Sequence, residues 1–359
     1  MSGKLWHLQV LRAIAASLVA VDHTWTTILV PTGLLPKWSS PGGYQLGNLG
    51  VTTFFVISGF IMIRTAHKRF GSAAAAGEFF LKRLIRIVPM YWLATLIGAA
   101  LILKGHHAIA PLDVIRSALF IPYAHGPILS QGWTLNYEMF FYALFALALF
   151  LPARIGFWLL LGTFLVIVGA GALIHPWSDP ASATSPAAFL SRPVILLFAA
   201  GMIIARMVKF GAGGGPVRWP LLFASALYAG AVYLSIITAE PHEPPFPLAA
   251  LFWIPGILAV LLTVSSASKT EGRGDRALEQ LGDASYCTYL FGSLTYFLIH
   301  PLAVKLPHSI AVAVVLLITS ALVANVVGLG FFLVCQRPCD ALLDRLLRAR
   351  PARVVDASA

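Results

Sequence analysis

The first apolar stretch of the chain, residues 8–30, constrains the fold more than any other feature: it reads LQVLRAIAASLVAVDHTWTTILV. A bilayer crossing takes about 20 apolar residues, so the length suffices. Yet Arg12, Asp22 and His23 lie inside it. A charge at the centre of a membrane helix costs roughly 2.5–3.5 kcal/mol on insertion scales. Such a helix must turn its polar side toward other helices or a watery cavity. At about 100° per residue, the step from Arg12 to His23 closes to within about 20° of whole turns. The two therefore share a face, about 16 Å apart along the axis. Asp22 lies about 100° round from His23 and is not its automatic partner. A polar stripe that serves packing alone is one explanation. An ionisable group placed for function is the default for intramembrane charge.

The rest of the chain fits the same solvent. Of 359 residues, 58% are hydrophobic and 11% charged, with a mean hydropathy of +0.83. This composition predicts an all-α integral membrane protein and excludes a soluble domain. Apolar segments of spanning length fall at 8–30, 48–66, 83–103, 133–151, 156–174, 190–209, 219–238, 247–267, 283–301 and 310–334. With the N-terminus cytoplasmic, the outer side of these ten spans holds only Lys37, Lys104, Arg116, Arg192 and Lys305 out of 25 Lys and Arg. That asymmetry predicts both termini inside. The net charge of +11 then reports mainly cytoplasmic loops. Lys4 before an apolar run imitates a secretory signal, but the run is too long and too charged, so an uncleaved first span is expected. Residues 1–335 form the expected transmembrane domain, and 336–359 a basic cytoplasmic tail against the anionic inner leaflet. Cys287, Cys335 and Cys339 lack the partner set of a metal site and read as structural.

The connections differ in character. Residues 31–47, rich in Pro and Gly, hold no helix pattern. Residues 104–132 contain a short apolar piece, 112–121, too short to span and expected to be interfacial or re-entrant. Residues 175–189 and 239–247 read as loops from their Pro content, and 211–215 as a flexible link.

Four further stretches carry polar groups that lipid would reject. In the second span, Ser58 and Gly59 suit close helix packing, with ligand contact the other reading. Lys82, Arg83 and Arg86 mark the entry of the third span. Lys82 and Arg86 share a face at i, i+4, and Arg83 and Arg86 are neighbours at i, i+3. They either set topology at the inner leaflet or clamp phosphate, whose oxygens match the guanidinium fork. In the fourth span, Glu138 lies about 9 Å from the helix start, at a depth where it could meet His23. A carboxylate beside a histidine fixes its tautomer and raises its basicity, as a general base requires. A structural pairing of Glu138 with an arginine is the equal alternative. Asn136 is a second polar candidate on the same turn. In the ninth span, Asp283 or Ser285 suits helix capping, and the hydroxyl-rich run beside them suits a polar cavity. His106, His107 and the other histidines stand in loops or singly, so no metal is expected. No Gly-rich nucleotide loop, H-E-x-x-H or nucleophile elbow is present.

Taken together and in order, these stretches resemble the acyltransferase 3 family of integral membrane proteins, over nearly the whole chain. The resemblance is carried by the Gln9–Ala16 stretch with Arg12 and then His23, by Phe54–Met62, by Lys82–Trp92 and by Gly132–Tyr142. The third and fourth stretches look most like the exopolysaccharide branch, of which succinoglycan-type O-acetyltransferases are the example. The resemblance implies an enzyme of about ten spans that takes an acyl group, usually acetyl, from cytoplasmic acyl-CoA. The implied acceptor is a sugar hydroxyl of a surface or secreted glycan, or a lipid-linked oligosaccharide, at the outer face of the bacterial inner membrane. It implies that His23 and Arg12 are essential in the first span, and that the basic cluster before Pro89 binds the donor. Two departures stand out. Lys82 replaces a usual Arg, so a clamp would rest on Arg83 and Arg86. Tyr289-Leu-Phe-Gly292 replaces a usual Tyr-Leu-x-His, so a second histidine is absent or moved, with His300 as the substitute.

The combined expectation is that Arg12, Lys82, Arg83 and Arg86 bind acetyl-CoA or another acyl-CoA, and that His23, oriented by Glu138, serves as general base or carries the acyl group. Trp133, Asn136 and Tyr137 are the expected substrate contacts, and Trp38 and Tyr44 further sugar-stacking faces. The partners expected are acyl-CoA, the glycan and the lipid bilayer, with a homo-oligomer left open and no nucleic acid. The rival reading is a transporter or flippase of a lipid-linked saccharide, which a polar-lined bundle also fits, although no repeated halves are detectable. An acyl-CoA-sensing scaffold is a third.

Overall fold

The computed structural model describes residues 6–66, 68–104, 108–123, 126–174, 185–208, 230, 248–265 and 273–348, and these are helical with short connections and no strand. The first helix, α1 (Trp6–Thr24), does not continue regularly to Val30. It widens into a π turn at Trp25–Leu29, two residues after His23. Then come α2 (Ser40–Ala66), α3 (Ala73–Lys104), α4 (Pro111–Ala118), α5 (Gly132–Ala148), α6 (Ala153–Ile174), α7 (Pro186–Leu190) and α8 (Leu196–Met207). They are followed by α9 (Leu248–Ser265), α10 (Arg273–Phe291), α11 (Tyr296–Lys305), α12 (Ile310–Phe331) and α13 (Arg337–Arg348).

Five stretches among the described residues are long and apolar enough to cross a membrane: Lys37–Ala66, Ala73–Lys104, Ala153–Leu173, Arg276–Lys305 and Ile310–Leu343. Two shorter apolar helical stretches, Pro193–Met207 and Ala250–Ser265, accompany them. The expected span at 219–238 lies outside the described residues, Gly230 excepted, as do His106, His107 and the link at 211–215. Leu96 on α3, Val166 on α6, and Leu322 and Val326 on α12 remain exposed. Outward apolar faces of this kind need a lipid solvent.

The centre of the bundle is α2, which packs against α8, α1 and α9, while α10 lies between α1 and α12. Small residues set these approaches. A side chain at Gly59 would meet the backbone of Phe198 on α8, and one at Gly201 would meet the backbone of Val56 on α2. The two glycines let the helices cross nearly backbone to backbone, as packing without a hydrophobic drive requires. Facing the other way, Gly47 sits directly over the Asp22 carboxylate.

That contact explains one departure from expectation. The Pro- and Gly-rich segment 31–47 was expected to hold no helix, yet α2 starts at Ser40 and runs through Pro41, Gly42, Gly43 and Gly47. All four are buried. Tertiary contact with α1 outweighs the poor helix propensity of glycine, about 1 kcal/mol each relative to Ala. A second departure is α3, which starts at Ala73, about 15 Å before Arg83. The basic cluster therefore sits within a helix and not at its mouth. A third is the ninth span, which begins as α10 at Arg273 and breaks into a 3-10 turn at Gly292–Thr295 before α11. Asp283 is thus interior to a helix and caps nothing. The short apolar piece at 112–121 becomes α4, with Pro111 in its first turn. It is held by Tyr91 and Ser117, whose hydroxyls are 2.9 Å apart, and by Trp92 Nε1 donating to the Ala118 carbonyl at 3.0 Å. Helical structure also continues without interruption across 335 and 336, through a π turn at Phe332–Gln336 into α13.

Candidate active site

Two cavities lie along α1, α5 and the α10 region. The first, of about 340 Å³, is lined by Gln9, Arg12, Ser58, Arg83, Arg86, Glu138, Tyr142, Asp283, Tyr286 and Tyr289, with apolar side chains of α2 and α3. The second, of about 350 Å³, is lined by His23, Thr24, Thr27, Ser130, Gln131, Ser293, Thr295 and Tyr296, with apolar side chains of α3 and the turn before α5.

In the first cavity, helix phase decides which basic residues face inward. Arg83 and Arg86, at i, i+3, both reach it. Lys82 turns away and pairs with Glu78 at 2.8 Å, where Arg69 also binds at 2.8 Å. Arg12 comes from α1, and its guanidinium donates to the Gln9 side chain at 3.2 Å. Arg83 lies 5.5 Å from the ring centroids of both Phe79 and Tyr142. Its buried Nε has no hydrogen-bond partner among the described residues. The ion pairs of the described residues join Glu78 to Arg69 and Lys82, and Asp113 to Arg116, and take in none of the three cavity arginines. Three guanidinium groups thus converge on one space, a geometry that receives phosphate or carboxylate oxygens.

Glu138 belongs to this cavity. Its Oε1 accepts from the Ser58 hydroxyl at 3.2 Å and from the Tyr142 hydroxyl one helical turn on. The expected meeting of Glu138 with His23 does not occur: the two line different cavities. Equal depth from opposite helix ends was the wrong inference. Glu138 lies about one turn beyond Thr134 and two beyond Gln131, and those two residues stand between it and the second cavity.

His23 faces the second cavity, and its imidazole has no hydrogen-bond partner among the described residues. The π turn begins two residues later, and the Thr27 hydroxyl donates to the His23 carbonyl. Such local widening of a helix recurs at functional sites. Asp22, one residue back, points to α2 instead and accepts from Thr26 at 3.4 Å. His300 does not take its place here: it stacks on Tyr296 with ring centroids 5.0 Å apart.

The three expected substrate contacts do not line either cavity. Tyr137 is fully buried, stacks on Phe189 and donates to the Phe189 carbonyl. Trp133 packs edge-on against Phe55 and Tyr137. Asn136 is buried, and its Oδ1 has no partner among the described residues. Trp38 is exposed. Conversely, Ser58, Tyr142, Asp283, Tyr286 and Tyr289 line the first cavity: Ser58 and the ninth-span run follow the less favoured of their two readings, and the i, i+3, i+6 spacing of Asp283, Tyr286 and Tyr289 marks one polar face. Gly59 is a packing residue as expected, while its neighbour Ser58 reaches the cavity.

Comparison with known proteins bears on this geometry. The acyltransferase domain of the acyltransferase 3 family matches residues 6–330. The chain belongs to that family, and it is a membrane acyltransferase. It is 34% identical over 334 residues to the exopolysaccharide production protein ExoZ of Rhizobium meliloti (strain 1021), covering 88% of this chain and 94% of that protein. It is 26% identical over 345 residues to the acyltransferase MdmB of Streptomyces mycarofaciens, covering 84% of this chain and 82% of the relative. No solved structure matches it significantly.

Proposed function

We propose that this acyltransferase moves an acyl group, most simply acetyl, from cytoplasmic acyl-CoA to a sugar hydroxyl of an exopolysaccharide or another cell-surface glycan. The observation that carries the reading is the convergence of Arg12, Arg83 and Arg86, from two helices far apart in sequence, on one cavity, with no ion pair to any of them among the described residues. Three guanidinium forks suit the phosphates of a CoA-type donor. Glu138, held by Ser58 and Tyr142 in the same cavity, then acts on the arginines through its charge and not on the histidine. The Lys and Arg asymmetry of the ten-span reading supports an orientation with this cavity toward the cytoplasm and the second cavity toward the outer face.

In this reading His23 works in the second cavity. An imidazole nitrogen takes the proton of the acceptor hydroxyl as its oxygen attacks the thioester carbonyl. The C–O bond forms, the C–S bond breaks, and the thiolate leaves to be protonated. Ser130, Ser293 and Thr295 offer hydroxyl oxygens to a sugar. The similarity to an exopolysaccharide production protein supports a glycan acceptor.

The test uses purified protein in nanodiscs with acetyl-CoA labelled in the acetyl group, with and without exopolysaccharide or its lipid-linked precursor. Label should move to the glycan in wild type and not in His23→Ala. Failure of wild type to bind or consume acetyl-CoA or longer acyl-CoAs, with acceptor supplied, would overturn the donor assignment and favour the flippase reading.

A further inference from the structure

The donor cavity and the His23 cavity are separated by a small polar partition. Thr134 and Tyr289 line the first and Gln131 lines the second. The Thr134 and Tyr289 hydroxyls lie 2.7 Å apart, and the Tyr289 hydroxyl is 2.9 Å from the Gln131 carbonyl. Thr134 Oγ1 also reaches that carbonyl, at 3.0 Å. All three residues are buried. With Arg12 and His23 about 16 Å apart along α1, an acyl group carried on a donor held by the arginines has to cross this partition.

One side of the partition is the start of a helix and the other is a single side chain. Gln131 and Thr134 open α5, and the Gln131 amide donates to the Leu290 carbonyl at 3.2 Å. Tyr289 is a single side chain, edge-on to Phe54 with centroids 6.0 Å apart. It sits just before α10 ends and gives way to the 3-10 turn at Gly292–Thr295. Two hydroxyl protons share three oxygens here. Either Tyr289 donates to Gln131 and Thr134 to Tyr289, or Thr134 donates to Gln131 and Tyr289 to Thr134. The hydroxyl end of the latch thus has two proton arrangements, and each of its hydrogen bonds is of modest net strength.

We propose that Tyr289 is the gate between donor and acceptor cavities, and that its ring limits the acyl groups able to pass to short ones. The inference rests on the acyl-CoA reading of the arginine cavity. Closed, the partition keeps water and acceptor away from the donor; opened by a rotation of the Tyr289 side chain, it admits the acyl group to His23. A gate of this kind suppresses hydrolysis, in which water would take the acyl group and the thiol would leave.

The experiment compares wild type, Tyr289→Phe and Tyr289→Ala in nanodiscs, with labelled CoA binding, acetyl transfer, acetyl-CoA hydrolysis and octanoyl transfer read in parallel. Tyr289→Phe keeps the ring and loses the latch, so the ratio of hydrolysis to transfer should rise about tenfold. Tyr289→Ala removes the ring, so octanoyl transfer relative to acetyl should rise about tenfold or more. CoA should still bind both variants. CoA binding with both ratios at wild-type values would overturn the gate alone. Wild type that binds no CoA would overturn the donor reading and the gate with it. Should Tyr289→Ala lose CoA binding, the ratio in Tyr289→Phe decides.

Discussion

The two cavities are nearly equal in volume and opposite in chemistry. One gathers three guanidinium groups and two carboxylates, Glu138 and Asp283, from four helices. In the other, His23 is the only His, Asp, Glu, Lys or Arg in the described lining, amid hydroxyls, an amide and apolar side chains. The difference teaches that the polar stripe of α1 is not one site. Arg12 and His23 share a helix face, yet each serves a different chamber. In the proposed reading this keeps charge recognition apart from proton transfer, so that a polyanionic donor would be held without fixed charge beside the base.

The comparison can be broken by substitutions that should act on one chamber and spare the other. The largest effect is expected for His23→Ala: transfer should fall about 10²–10⁴-fold, the usual contribution of a general base, with CoA affinity preserved. Next, Arg86→Ala should weaken CoA binding about tenfold to a hundredfold, the scale of a lost charge-assisted contact. Arg86→Lys should recover only part of it, because the fork is lost. Glu138→Gln sharpens the assignment further. Transfer should drop about tenfold through looser arginines, while the pH profile of the remaining activity keeps its shape. A displaced acid limb would return Glu138 to the histidine. The smallest effect belongs to Lys82→Ala. The Lys82–Glu78 pair is about one-third exposed on each side, and such pairs contribute about 0–1 kcal/mol. CoA binding should change less than about fivefold.

Much of this was legible in the residues. The all-helical membrane class follows from apolar length and composition. Arg12 and His23 on one face follow from helix geometry, as does the nearness of Arg83 to Arg86. What the sequence did not reveal depends on tertiary contact. The Pro- and Gly-rich start of α2 reads as loop because propensity cannot register that Gly47 is needed over Asp22. Asp283 reads as a cap because the helix start, ten residues earlier at Arg273, carries no apolar signal. Glu138 was joined to His23 by depth alone, and depth does not show that Gln131, Thr134 and Tyr289 stand between them. Tyr137 and Trp133 read as sugar contacts because aromatic residues serve both sugar stacking and helix packing, and here they pack.

The most direct test of the division between the chambers is equilibrium binding of labelled CoA, without an acyl group, to purified wild type, His23→Ala and Arg86→Ala in nanodiscs. The account predicts that His23→Ala binds as wild type does and that Arg86→Ala loses most of the affinity. Loss of binding in His23→Ala with retention in Arg86→Ala would contradict it, since the donor would then be held in the histidine chamber.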